Sequence, residues 1–144
     1  MTRAINPWQR LCGLLHVRLL WHDGGAPGIT DFEESTISLR RGLTQAQRRT
    51  TVLHECLHVE RGPVPTTLAA REELRVEKET ARLLLPDLRV VASALEWSRD
   101  LHEAAEELWV DEQALRVRLE HLHPAERAWL ARRLADDTRG GDAA

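Results

Sequence analysis

The 144-residue chain has no tyrosine, two cysteines and a net charge of only -3. Each shortage closes something off. Two cysteines, Cys12 and Cys56, cannot form a disulfide framework, and the opening stretch MTRAINPWQR lacks the apolar core of a secretory signal. No run of about 18 apolar residues occurs, so no membrane span is expected. These absences point to a protein of the reducing cytoplasm, with no membrane partner. The weak charge balance calls for neither nucleic acid nor an anionic surface. The basic residues are nearly all arginine, since Lys78 is the only lysine, and no function follows from that. The missing tyrosine removes one common donor for stabilising an oxyanion. What remains is ordinary for a globular chain: 42% hydrophobic and 30% charged residues, in a length that suits one domain and can bury a core unaided.

The chain reads as two unlike halves. Residues 6–15 suggest a short helix. HVRLLWH (16–22), ITDF and TISLRR (36–41) read as strands, separated by the turn-forming DGGAPG. A helix of about 45–61 follows, with Thr44 as its cap and Gly62-Pro63 as its stop. PVPTTL reads as a loop. From Ala70 onward the pattern is helical, with breaks at Pro86-Asp87, near Val110-Asp111 and at His123-Pro124. The expected organisation is a core over 1–86, a helical subdomain over 87–136 packed on it, and a disordered tail over 137–144.

The stretch LHECLHVERG (53–62) carries the chemistry. On a helix at about 100° per residue, His54 and His58 lie about 40° apart, with Glu55 about 100° from His54. Both imidazoles then reach one tetrahedral metal, and Glu55 stands beside it as a base. Val52, Leu53, Cys56, Leu57 and Val59 fill the remaining arc as a core face. Cys56 is therefore read as a buried small hydrophobe, and Cys12 likewise. A helix supplies only two ligands, so a third must come from elsewhere.

The next helix, AAREELRVEKETARLLLP (69–86), offers it. Ala70, Leu74, Val76, Ala81, Leu84 and Leu85 define an apolar arc, with most of the basic residues opposite. Glu73 and Glu77 break the pattern by falling within that arc, one turn apart. A carboxylate facing a core is costly unless it is paired or binds a metal. Glu73 is the preferred third ligand of a His2Glu site, leaving a position for water. Glu77 would accept a hydrogen bond from the free ring nitrogen of a ligand histidine. The reverse assignment, with Glu77 as ligand, stays open.

TTVLHECLH followed by ELRVEKETARLLLP resembles the ImmA/IrrE metallopeptidases of phage and mobile-element immunity cassettes. The resemblance covers about residues 28–120 and is densest over 50–86. Glu73 matches the leading glutamate of the second helix, Glu77 the later Asp or Asn, and Thr80-Ala81, Leu83-Leu84-Leu85 and Pro86 its end. Leu57, Val76 and Glu79 depart from the usual residues. The resemblance implies an α+β, zincin-like fold. In it a small antiparallel sheet of about three strands precedes the HExxH helix and the ligand helix, and a helix-turn-helix-like part follows. It implies zinc, and a repressor-like DNA-binding regulator, encoded nearby, as the protein substrate. The alternative function is a metal-stabilised regulator that binds such a partner without cutting it. In the absence of tyrosine, only a histidine or arginine is left to stabilise an oxyanion, and His22 and Arg61 are the candidates.

The segment 100–134 looks like a helix-turn-helix, with Asp111 capping its second helix. Glu103, Glu106, Glu107, Asp111 and Glu112 would face phosphates badly, so a small helical bundle is favoured over a DNA reader. Trp97, Trp109 and Trp129 are expected as core anchors.

Overall fold

The computed structural model describes residues 5–141, and side chains as far as Asp136. Its elements run α1 (Pro7–Cys12), β1 (Arg18–His22), β2 (Gly28–Asp31), β3 (Thr36–Arg40), α2 (Gln45–Arg61), a 3-10 turn (Thr66–Leu68), α3 (Ala69–Leu84), α4 (Leu88–Trp97), α5 (Leu101–Glu107), α6 (Glu112–Glu120) and α7 (Pro124–Gly141). The α+β class is as expected, and α2 has the bounds its sequence signals set. The break between α4 and α5 at Ser98–Asp100 carries no proline or glycine, and only the Asp100 cap marks it. The backbone of 137–141 continues α7 into the segment expected to be a disordered tail, and residues 142–144 lie outside the described residues. Among the described residues no helix is long and apolar enough to cross a membrane.

The sheet is mixed, which corrects the antiparallel expectation. Strand order is β1-β3-β2, with β3 parallel to β1 and antiparallel to β2. Burial explains the order. Ile37 and Leu39 of β3 are fully buried, so this strand takes the centre and leaves β1 and β2 as edges. Once β3 inserts between them, it runs alongside β1.

Helix α2 is the spine. Its Val52 and Cys56 pack with Ile37 and Leu39 of β3, backed by Trp8, Leu11 and Leu19. Its Leu53 and Leu57 enter a second cluster with Val76 and Leu84 of α3, Val91 of α4, Ala104 of α5 and Leu115 of α6. That cluster crosses the boundary expected at residue 86, so both halves share one apolar core. Cys56 is fully buried, as expected of a small hydrophobe, and burial pushes its thiol pKa up to about 12. Cys12 is exposed instead, at the end of a single short helix that covers little. Trp97 and Trp109 are also exposed, at 83% and 59%, and are not core anchors. The buried face of α4 is made by Val91, Ala92 and Ala94, which leaves Trp97 beyond it. Trp109 sits in a turn with φ 59 and stacks against the Arg49 guanidinium.

A charged knot ties the helical half to α3. Arg118, only 2% exposed, donates to the Leu85 carbonyl at 3.0 Å and to Glu126 at 2.8 Å. Arg82 donates to the other Glu126 oxygen at 2.7 Å, which also accepts from the His123 N–H at 2.9 Å. Burial works against the Glu126 carboxylate, but Arg118, Arg82 and the His123 N–H outweigh it and hold its pKa down at about 2.

Glu126→Ala strands a buried guanidinium and should cost about 3 kcal/mol in urea denaturation, the low end for such a loss. The folded pKa lies below the ordinary carboxylate value of 4.5. The stabilisation is therefore complete above about pH 4.5 and is lost as pH falls towards about 2. Wild type should lose melting temperature more steeply than Glu126→Gln across that window.

Candidate metal centre

A capping box starts α2: the Gln47 N–H donates to the Thr44 hydroxyl at 3.2 Å, and the Thr44 N–H to the Gln47 side chain at 2.9 Å. Gly62, at φ 83, ends it. Between these points the helix buries an apolar stripe on each side, against the sheet and against α3. His54 and His58 occupy the strip between the stripes, and His54 lines a cleft between α2, α3, α6 and β2.

Glu73, from the second turn of α3, meets both. One carboxylate oxygen lies 2.8 Å from His54 Nε2 and the other 2.8 Å from His58 Nε2. The two Nε2 atoms are 3.2 Å apart. Two nitrogens bound to one tetrahedral zinc, each at about 2.0–2.1 Å, would stand about 3.3 Å apart. The two nitrogens are thus spaced as a shared metal ion needs, while the 2.8 Å contacts to Glu73 are hydrogen-bond distances that would open slightly around an ion; the three residues could hold a metal. His54, His58 and Glu73 are the one His/Cys/Asp/Glu group among the described residues gathered closely enough to hold an ion.

Electrostatics follow from the same contacts. Burial lowers the His54 pKa, but hydrogen bonding and charge from Glu73 outweigh it, and the net shift is upward. The hydrogen bonds from His54 and His58 hold the Glu73 carboxyl well below the usual carboxylate range.

The premise that singled out the glutamates needs correction. Glu73 does not face a core; its side chain is 48% exposed, and Leu74 beside it is exposed too. The buried stripe of α3 is Val76, Thr80, Ala81 and Leu84. The first turns of α3 stand clear of the helical bundle and form one wall of the open cleft, so a carboxylate there is solvated. Glu77 lines the cleft, but no hydrogen bond joins it to His54 or His58. The expected support of a ligand histidine by Glu77 is absent.

Glu55 is placed by the sheet. It is buried, 7% exposed, and its Oε2 accepts a 2.5 Å hydrogen bond from the Thr30 hydroxyl of β2. Its other oxygen lies against the backbone of Gly28. A Cβ at Gly28 would stand 2.5 Å from Thr51 Cγ2 and 2.9 Å from Glu55 Oε1, so only glycine allows this approach. Neither oxyanion candidate is free. The His22 ring nitrogens are tied to the Ser38 hydroxyl at 2.7 Å and the Ala26 carbonyl at 2.8 Å, and Arg61 is paired with Glu72.

No protein-family model, curated protein or solved structure matches the chain.

The cleft has a volume of about 350 Å³ and also takes in Thr80, Asp111 and Gln113. Sequence reading missed Gly28, Thr30, Thr80 and Gln113 as site residues. The first two lie more than twenty residues before the motif, and nothing in their local pattern marks them.

Purified wild type should hold about one zinc, His54→Ala and Glu73→Ala should lose it, and Glu77→Ala should keep it, read by elemental analysis. Since the His54 pKa sits above its ordinary 6.5, protons compete with the metal early. Zinc affinity, followed by chelator competition, should begin to fall while the pH is still above 6.5. Gly28→Ala should cost about 1–3 kcal/mol through overpacking against Thr51 and Glu55, measured by thermal melting, with zinc retained.

Proposed function

We propose that the chain is a zinc-dependent metalloendopeptidase of the ImmA/IrrE type, cutting a repressor-like DNA-binding protein encoded nearby. The observation that carries this reading is the convergence of His54, His58 and Glu73 with a buried, hydrogen-bonded Glu55 beside them. A structural metal site has no use for Glu55, whereas hydrolysis needs a base there. Zinc held by the three ligands would supply a water of lowered pKa and polarise a carbonyl.

The chain's own residues account for the proton. Glu55 takes it from the attacking water and passes it to the leaving amine. Thr30 holds Oε2 in place, which leaves Oε1, beside Gly28, to do the transfer. Burial keeps bulk water from competing for that oxygen. A peptide substrate agrees with the architecture: β2 is an edge strand beside the cleft, its outer side unpaired among the described residues, and an extended chain can add to such an edge. The target's identity as a regulator rests on the motif resemblance.

The second reading is a metal-stabilised regulator that grips its partner without cutting it. It is favoured by one feature: the chain has no tyrosine, His22 and Arg61 are engaged elsewhere, and among the described residues no arginine or lysine lines the cleft.

Co-expression with the neighbouring regulator separates the two. Wild type should cleave it, and Glu55→Gln should slow cleavage by about 10²–10⁴-fold while retaining zinc. Equal loss of regulator function in both, with the regulator intact, establishes the binding reading instead.

A further inference from the structure

The sheet has two edges, and the one away from the cleft is unprotected. Among the described residues, strand β1 pairs with β3 and with no strand on its outer side. The ladder fixes which backbone groups face out. The Arg18 N–H donates to the Ser35 carbonyl at 3.0 Å, and the Arg41 N–H donates to the His22 carbonyl at 2.8 Å. Alternate residues of a strand turn their backbone groups to opposite sides. Arg18, Leu20 and His22 therefore serve β3, while the N–H and C=O groups of Leu19 and Trp21 point outward. No other backbone hydrogen bond reaches Leu19 or Trp21 among the described residues. The side chains at this edge are apolar too: Leu20 is 44% and Trp21 42% exposed. Natural edges are commonly blunted by lysine, proline or a bulge. RLLWH has no lysine or proline, and its pairing with β3 is unbroken from Arg18 to His22.

We propose that β1 is a self-association edge, which pairs antiparallel with β1 of a second copy of this chain. The backbone selects the register. Opposed residues of an antiparallel pair point to the same face, so a two-fold axis sets one residue opposite itself. With Leu20 on the axis, Leu19 of each copy meets Trp21 of the other, and each such pair exchanges both of its N–H···O=C bonds. Every outward group is then satisfied. With Leu19 on the axis, Trp21 would meet Val17, whose N–H is already given to the Leu14 carbonyl at 3.0 Å. With Trp21 on the axis, Leu19 would meet Asp23, beyond the end of the strand.

The side chains agree with the Leu20 register. The two Leu20 side chains meet at the axis, and Trp21 lies over Leu19 of the other copy. Arg18 is exposed and has no ion pair among the described residues. Pairing brings it beside Asp23 of the other copy, whose side chain is 82% exposed and gives one oxygen to Arg41 at 3.1 Å. A strand that begins basic and is followed by an acid complements its own reverse, which selects a second copy over a foreign strand. Because β3 lies between β1 and β2, the pairing leaves the cleft edge open.

Sedimentation equilibrium of the full chain tests the proposal. The mean mass should rise with concentration from 16.4 kDa towards twice that value. Leu20→Lys sets two like charges face to face at the axis and should weaken association at least about tenfold. Its melting temperature in dilute solution should match wild type, since the side chain is already half exposed. Ile29→Lys, on the opposite edge strand, should associate as wild type does. Opposed residues of a non-hydrogen-bonded pair have Cα atoms about 4.5 Å apart, within disulfide range. In a Cys12→Ser background, mild oxidation should therefore join two chains through Leu20→Cys and not through Ile29→Cys. The proposal is overturned if wild type keeps the mass of one chain at about 500 µM, a concentration at which even a small specific interface is populated. It is equally overturned if Leu20→Lys associates as wild type does, or if Ile29→Cys cross-links and Leu20→Cys does not.

Discussion

One carboxylate facing two imidazoles organises the cleft. Glu73 reaches both His54 and His58 because α3 lies along the C-terminal half of α2, and apolar packing puts it there. Val76 and Leu84 of α3 share a cluster with Leu53 and Leu57 of α2. The polar contact is short and charged, but it is half open to water and contributes little to holding the helices together. Burial therefore positions His54, His58 and Glu73 against one another, and the polar contacts follow from that packing.

The second constraint is steric and comes from the other side of α2. Strand β2 runs so close to the helix that position 28 has no room for a Cβ. That approach brings the Thr30 hydroxyl onto Glu55 and gives the carboxylate two distinct oxygens, one held and one free. The central strand β3 sets the distance, since its Ile37 and Leu39 pack on Val52 and Cys56 of the same helix. Thus the two faces of α2 divide the work: the face on α3 brings Glu73 to His54 and His58, and the face on the sheet fixes Glu55.

Much of this was legible in the residues. Thr44, Gln47 and Gly62 bound α2 through local hydrogen bonding and a left-handed backbone, which need no tertiary context. The phase of His54, Glu55 and His58 follows from helical geometry alone. Glu73 was singled out on a premise that does not hold, since it lies on an exposed wall rather than in a core. The wheel counted apolar neighbours but could not know how far the bundle extends along α3. Cys12, Trp97 and Trp109 misled in the same way: an apolar residue is buried only if some other element reaches it. The parallel pairing of β1 and β3 was not legible, because it depends on which strand is most deeply covered.

By itself, then, the sequence determined what is local: the helix limits, the spacing of two histidines and a glutamate on one face, and the pool of carboxylates from which a ligand could be drawn. Only the tertiary structure decided which carboxylate meets the histidines and which strand holds Glu55. Those are distances between elements far apart in the chain, and they are set by how apolar faces pack.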